Sequence, residues 1–258
     1  MDKTPKQKVK EVFGKNADKY VTSDSHAKGD DLSLLVEWLQ PENTWTVLDI
    51  ATGGGHVTKT LAPHAGTVFS TDLTEEMLEN TAKHLRDSFD NIHYVVADAE
   101  ALPFLKETFD AAICRIAPHH FPNPERFIAE MSRVLKKGGR FVLIDNVAPA
   151  DSELAQFMNT TEKLRDDSHS RCLSKEEWKM LLEENGMVER KSADRRKTFD
   201  YPSWVERTTE SKEQIERVSR HLLNSNEKTA DYFSIEVQDG KVQTFTIDEW
   251  MALYEKAD

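Results

Sequence analysis

The chain has 258 residues, enough to bury one large α/β core with appended elements and too few for two enzyme domains of ordinary size. Its 34 Lys and Arg stand against 46 Asp and Glu, and the first 150 residues and the remainder are each acidic, which weighs against a nucleic-acid substrate and favours a small molecule. Cys114 and Cys172 lie far apart with no CxxC or mixed Cys/His spacing, so no metal is expected. Reduced thiols, a charged Met1 to Ala27 and no apolar run long enough to span a bilayer together predict a soluble cytoplasmic protein.

Residues 3 to 14 carry Val9, Val12 and Phe13 at helical spacing among lysines, and Asp30 to Leu39 repeats the pattern with Leu32, Leu35, Val36 and Leu39. Two amphipathic helices are predicted there, joined through a polar stretch from Gly14 to Tyr20. From Thr46 to Val147 strand and helix alternate five times, the pattern of a parallel sheet with right-handed crossovers. The first strand runs through Val47-Leu48-Asp49-Ile50 into Ala51-Thr52-Gly53-Gly54-Gly55, where glycine lets the backbone bend sharply and approach a ligand that a Cβ would exclude. The second strand, Thr67 to Thr71, ends in Asp72; the third, His93 to Ala97, ends in Asp98; the fourth is Phe109 to Cys114 and the fifth Arg140 to Asn146. Helices are predicted at 56–64, 74–88 and 124–136, the second capped by Thr74.

Beyond residue 150 the reading is a helix over Asp151 to Leu164, a polar connection from Arg165 to Arg171, and a helix behind a Ser174/Glu177 capping box that buries Trp178, Leu181 and Leu182. A sixth strand follows at Met187 to Phe199, then helices within 202–233. The turn Gln238-Asp239-Gly240-Lys241 leads into an antiparallel last strand, Val242 to Tyr254, with helix the competitor over Asp248 to Glu255. The fold class is α/β: a Rossmann-like, doubly wound, seven-stranded sheet, mostly parallel with an antiparallel last strand. The expected division is a helical leader over 1–43, a cofactor-binding core over 44–150, and substrate-cover helices with the last strands over 151–258.

Asp49, Asp72 and Asp98 put three carboxylates at the carboxyl edge of the sheet, where doubly wound folds bind ligands. They would repel a dinucleotide pyrophosphate, whereas a sulfonium cation carrying an amino group and an adenine would be attracted. The pattern favours S-adenosylmethionine over NAD, whose GxGxxG turn is also incomplete: Gly53 and Gly55 are followed by Thr58.

The segment Asp49 to Gly55, with Asp72, Asp98 and the run Phe109 to Cys114, resembles the class I S-adenosylmethionine-dependent methyltransferases, and most of all the ubiquinone and menaquinone biosynthesis group, over residues 9–147. The first glycine usual in that turn is Ala51 here, small enough to keep the bend. The resemblance implies a leader folded over the cofactor, with an aromatic, Phe13 or Tyr20, touching it. It implies that Asp49, Ala51, Gly53 and Gly55 surround the methionyl part, that Asp72 with Leu73 receives the ribose hydroxyls, that Met77 lies against the adenine, and that Asp98 and the Ala99 amide bond its edge. Plainer readings stand beside these: Asp72 and Asp98 as turn or cap residues, Met77 as core filling.

Arg115-Ile116-Ala117-Pro118-His119-His120-Phe121 borders the methyl-transfer site in the resembled fold and lacks the Asn/Asp-Pro-Pro-aromatic sequence that grips an exocyclic amine, so DNA amino methylation is not expected. His119 or His120 is the candidate base for a phenol, enol or activated carbon, the competing roles being a helix cap and core packing. Arg115 either pairs with the cofactor carboxylate or forms a surface ion pair. Arg165, His169 and Arg171 suit an anionic acceptor, or else form a solvated loop neutralised by Asp166 and Asp167. The run Arg195-Arg196-Lys197 is assigned no function. Methyl transfer to a carbon or oxygen of a small-molecule metabolite is the function expected; an NAD-dependent oxidoreductase and a non-catalytic S-adenosylmethionine-binding protein are the alternatives.

Overall fold

The structure, a computed structural model, describes residues 3–21, 30–209 and 211–258, without the side chains of 15–21. Its sheet contains β1 (Thr46–Ile50), β2 (Thr67–Asp72), β3 (Ile92–Val96), β4 (Phe109–Arg115), β5 (Leu135–Asn146), β6 (Met187–Asp200), β7 (Glu236–Gln238) and β8 (Lys241–Lys256). The spatial order is β3-β2-β1-β4-β5-β8-β6, with β7 paired to β8. The first five strands are mutually parallel, and β8 runs antiparallel between β5 and β6. The order of strand addition reverses between β1 and β4, which opens a crevice above their carboxyl ends.

Each central strand buries both faces, which is why these segments read as continuous apolar runs. On one face Leu48, Ile50, Ala112, Cys114, Leu143, Trp250 and Tyr254 pack with Phe127, Met131 and Trp178 from helices α5 (Pro124–Val134) and α7 (Lys175–Glu184). On the other, Val47, Val68, Ile113, Ile144 and Met251 pack with Leu35 and Leu39 of α2 (Asp30–Leu39) and with Val57 and Leu61 of α3 (His56–Leu61). A third cluster joins α6 (Ser152–Arg165), α8 (Tyr201–Glu206) and α9 (Lys212–Leu223) to the start of β8. The two-sided burial of Trp250 to Tyr254 decides between helix and strand there: alternate residues enter opposite cores, so period two wins.

Several expectations need correction. The sheet has eight strands rather than seven, because the turn at Asp239-Gly240 also pairs the short β7 with the outer end of β8. The stretch from Gly14 to Tyr20 continues the first helix, α1 (Pro5–Val21). An internal glycine costs a helix about 1 kcal/mol, but α1 packs along α4 (Glu75–Leu85), and a Cβ on Gly14 would make only ordinary contacts with Glu76 and Thr74 atoms at 3.6–3.8 Å. Thr74 occupies the cap position of α4 without a side-chain cap bond, and the Asp72 carboxylate accepts its backbone N–H instead at 2.9 Å. The helix predicted to 136 stops at Val134, where β5 begins. The Ser174/Glu177 capping box is present at the start of α7. Among the described residues no helix is long and apolar enough to cross a membrane.

Candidate active site

The crevice is a cleft of about 1040 Å³, counting space open to solvent. Its floor is the turn after β1, its sides are the ends of β2 and β4 and the loop after β3, and α1 lays Lys6, Val9 and Phe13 over it. Asp49, Ala51, Gly53, Asp72, Leu73, Met77, Asp98, Ala99, Arg115 and His120 all line it. Gly55 closes the turn behind it, and the side chain of Tyr20 lies outside the described residues.

The turn depends on left-handed backbone at alternate positions. Ala51, Gly53 and Gly55 have φ of 56°, 54° and 77°. A Cβ on Gly55 would fall 2.4 Å from a Thr81 methyl, so close packing of the turn on α4 adds to the conformational demand for glycine. Thr81 donates its hydroxyl to the Gly53 carbonyl at 2.8 Å.

Asp49 and Asp72 are buried with only neutral donors for partners among the described residues. One Asp49 oxygen accepts from the Thr52 and Thr58 hydroxyls at 2.6 Å each and from the Thr58 N–H at 3.0 Å. Burial, only partly offset by these bonds, pushes its pKa up to about 6. Asp72 spans the turn, accepting the Gly53 and Thr74 N–H groups, and burial raises its pKa too. Two desolvated carboxylates in one cleft without a cation suit a ligand that brings positive charge. Asp98 already holds one: Lys6 of α1 donates to it at 2.6 Å and lies 2.6 Å from the buried Glu100.

Beyond β4, Ile116 takes φ 52°, a conformation β-branched residues rarely adopt, and swings a short turn (Pro118–His120) against the cleft. The two histidines then separate. His119 faces Asp145 at the end of β5, which accepts its N–H at 3.0 Å and meets Nδ1 at 2.6 Å. Burial opposes charge on this ring, but the Asp145 carboxylate outweighs it and raises the pKa. His120 lines the cleft, with the Phe13 ring edge-on at 5.0 Å. Burial and the neighbouring His119 charge push it down to about 3, so it is neutral. Ser168 donates its hydroxyl to Asp166, and its oxygen lies 3.2 Å from Nδ1 of His120. The serine proton being committed to the carboxylate, Nδ1 carries the ring proton and Nε2 the lone pair. Burial works against the Asp166 charge, yet the Arg165 charge and the Ser168 bonds keep its carboxyl below the usual range.

Arg165, His169 and Arg171 do not line the cleft. Arg165 pairs with Glu162 at 2.9 Å and stacks on Trp204 at 4.1 Å, while Arg171 reaches outward to Glu177 at 2.7 Å. His169 is buried, its Nε2 3.0 Å from the Asn159 side-chain oxygen and its pKa depressed by burial and by the His119 charge. Arg115 bonds Asp31 at the start of α2. The run set aside as functionless is not a solvated face: Arg195 and Lys197 approach the buried Glu249 at 3.4 and 3.8 Å. Sequence reasoning also passed over Lys6, Glu100, Asp145 and Ser168. The last two follow apolar runs or sit in polar ones without a motif to mark them.

A parallel sheet with one antiparallel strand inserted before its final member, and a glycine turn flanked by acids at the switch point, define a nucleoside-cofactor enzyme of the Rossmann-like methyltransferase type. The family model described as a methyltransferase domain matches residues 48–143. The uncharacterized methyltransferase YcgJ of Bacillus subtilis is 32% identical over 237 residues, 91% of this chain and 94% of that protein. The ubiquinone/menaquinone biosynthesis C-methyltransferase UbiE of Rickettsia typhi is 32% identical over 157 residues, 56% of this chain and 63% of that protein. The crystal structure of a putative methyltransferase from Bacillus halodurans superposes with a TM-score of 0.87 at 37% identity, covering 89% of this chain and all of that one. The chain belongs to the class I S-adenosylmethionine-dependent methyltransferases, and the oxidoreductase alternative falls away.

Proposed function

We propose that the protein transfers a methyl group from S-adenosylmethionine to a carbon or oxygen of a small molecule, with His120 as the base that receives the acceptor's proton. The observation that carries this reading is the neutral His120 on the cleft wall, its Nδ1 engaged by Ser168 and Asp166 and its Nε2 without a partner among the described residues. The residues present fit the cofactor: glycines leave room for its methionyl part, and the paired acids Asp49 and Asp72 lack a cation that its ammonium and sulfonium would bring. When bound, S-adenosylmethionine supplies an electrophilic methyl group.

The chain's own residues do the rest. Asp72 receives the ribose hydroxyls, and Leu73 and Met77 pack the adenine. Asp98 and the Ala99 amide bond the adenine edge once Lys6 has moved aside, and Asp49 lies near the amino acid end. The leader helix acts as a lid, with Val9 and Phe13 excluding water from the site. Holding the acceptor in line is worth roughly 7–11 kcal/mol in favourable systems, so orientation carries most of the catalysis. His120 takes the proton from the acceptor's hydroxyl or activated carbon as the new bond forms, and Ser168 and Asp166 keep the imidazole in the tautomer that can accept it. His119 and Asp145 act behind it: their charge pair keeps His120 neutral.

The test uses S-adenosylmethionine labelled in its methyl group and a whole extract of cells, fractionated afterwards into small molecules, protein and nucleic acid. Label should enter an organic product, and treatment with hydriodic acid separates O-methyl, which is released, from C-methyl, which is retained. His120→Asn should lower the rate about 10²- to 10⁴-fold while S-adenosylhomocysteine affinity stays within twofold. Full activity in that variant would remove His120 as the base, and label found only in protein or nucleic acid would remove the small-molecule acceptor.

A further inference from the structure

The sheet face that is apolar at its middle turns polar toward its carboxyl rim. In register across three strands, Asn146 of β5 stands opposite Glu249 of β8, which stands opposite Arg195 of β6. Directly opposed residues project to the same side, so these three form one row on the face that packs on α2. Two residues along β6, Lys197 joins the same face, and Asp31 at the start of α2 covers the row.

Most close ion pairs elsewhere in the protein sit at 2.6–3.0 Å. Here Arg195 meets Glu249 at 3.4 Å and Asp31 at 4.0 Å, and Lys197 meets Glu249 at 3.8 Å. Two polar atoms of the row are buried with no hydrogen-bond partner among the described residues: Nη1 of Arg195 and Oδ1 of Asn146. Leaving such a group unsatisfied costs about 1–3 kcal/mol, so two in one row mark a place made for something else. Among the described residues the row and its cover hold three cations, Arg115, Arg195 and Lys197, against two acids, Asp31 and Glu249. A surplus positive charge is unusual in a chain of net charge −12. Burial and the Arg115 charge, with neighbouring groups, depress the Lys197 pKa, and burial raises that of Glu249, so the cluster carries a real desolvation cost.

The row is linked to the cleft through Arg115, which lines it and whose partner Asp31 also meets Arg195. Asn146 ends β5 one residue beyond Asp145, on the opposite face of the strand. We propose that this row is the acceptor's binding subsite and that the methyl acceptor carries an anionic oxygen group, carboxylate or phosphate, held by Arg195 with Lys197, while the Asn146 amide takes a neutral polar group. Two strand spacings separate Asn146 from Arg195, roughly 10 Å, the span of a small substituted ring or a short chain. The subsite rests on the methyltransferase reading above. It replaces the loop of Arg165, His169 and Arg171 as the source of anion recognition, since those cations are already engaged by Glu162 and Glu177.

The experiment uses the full chain saturated with S-adenosylhomocysteine and three probes of like shape: benzoate, phenyl phosphate and the uncharged benzamide. Calorimetric titration should show one of the two anions binding at least tenfold more tightly than benzamide, and which one does so tells carboxylate from phosphate. Arg195→Gln should abolish that preference, and Arg195→Lys should restore part of it, with S-adenosylhomocysteine affinity within twofold of wild type in both, which also reports that they fold. Equal binding of all three probes, or a preference that survives Arg195→Gln, overturns the subsite. Failure of S-adenosylhomocysteine to bind the folded wild-type protein overturns the methyltransferase reading and the subsite with it.

Discussion

We predict that Asp49 links cofactor binding to pH. It is wholly buried, its described partners are neutral, and its pKa stands at about 6. A bound cofactor bringing an ammonium near it favours the ionised form, so binding below pH 6 must expel a proton. The apparent dissociation constant should then scale as one plus ten to the power of (6 − pH): close to the plateau at pH 7, about twofold weaker at pH 6 and about elevenfold weaker at pH 5, or about 1.4 kcal/mol. Titration calorimetry of S-adenosylhomocysteine from pH 5 to 7.5, in two buffers of different ionisation enthalpy, reads both the slope and the proton release, which should be near one half at pH 6. Asp49→Asn should flatten the profile. For folding the sign is opposite. An acid whose folded pKa is raised prefers to be protonated in the native state, so the cost of ionising Asp49 is absent below its unfolded value and grows to its full size as pH rises through about 6. Affinity that is flat from pH 5 to 7, or a slope that persists in Asp49→Asn, would refute the placement of Asp49 beside the cofactor's charge.

Ala51→Gly should stabilise the protein. Relief of a left-handed Cβ is worth about 1–2 kcal/mol and the added freedom of the unfolded chain takes back about 0.4–1, leaving a gain of roughly 0.5–1 kcal/mol and a rise of about 1–3 °C in the calorimetric midpoint. A lower midpoint would mean that the Ala51 methyl makes packing contacts worth more than the strain. Lys6→Met should tighten S-adenosylhomocysteine by up to about fivefold, because a half-exposed ion pair worth at most about 1 kcal/mol no longer competes for Asp98, while Asn123 still bonds Glu100. Weaker binding would instead make Lys6 a clamp on the bound cofactor.

What was legible in the sequence was local. An apolar strand that ends in an acid places that acid at the sheet's carboxyl edge whatever the rest of the chain does, so Asp49, Asp72 and Asp98 all line one cleft as read. The Ser174/Glu177 box is likewise written within one helical turn. Features set by distant partners were not legible. Gly14 reads as a break until α1 is seen to pack along α4, and adjacent histidines are equivalent until the left-handed turn at Ile116 sends one to Asp145 and the other to the cleft.

Arg195 and Lys197 show the same principle with more at stake. Alternation along β6 is the pattern of an exposed edge strand, and their exposure would follow if β8 paired only with β5. Because β8 inserts between β5 and β6, the residue opposite Arg195 is the buried Glu249, and a polar stripe written as surface becomes a half-buried one that faces an acid. The only trace in the sequence is the acid Glu249 inside the otherwise apolar run Trp250 to Tyr254 and its approach, a charge that a buried strand keeps only when cations across the ladder answer it. Charge in the middle of a core strand is therefore the feature on which the proposed acceptor subsite rests, whereas the more conspicuous cations of the 165–171 loop each find an acid of their own within six residues.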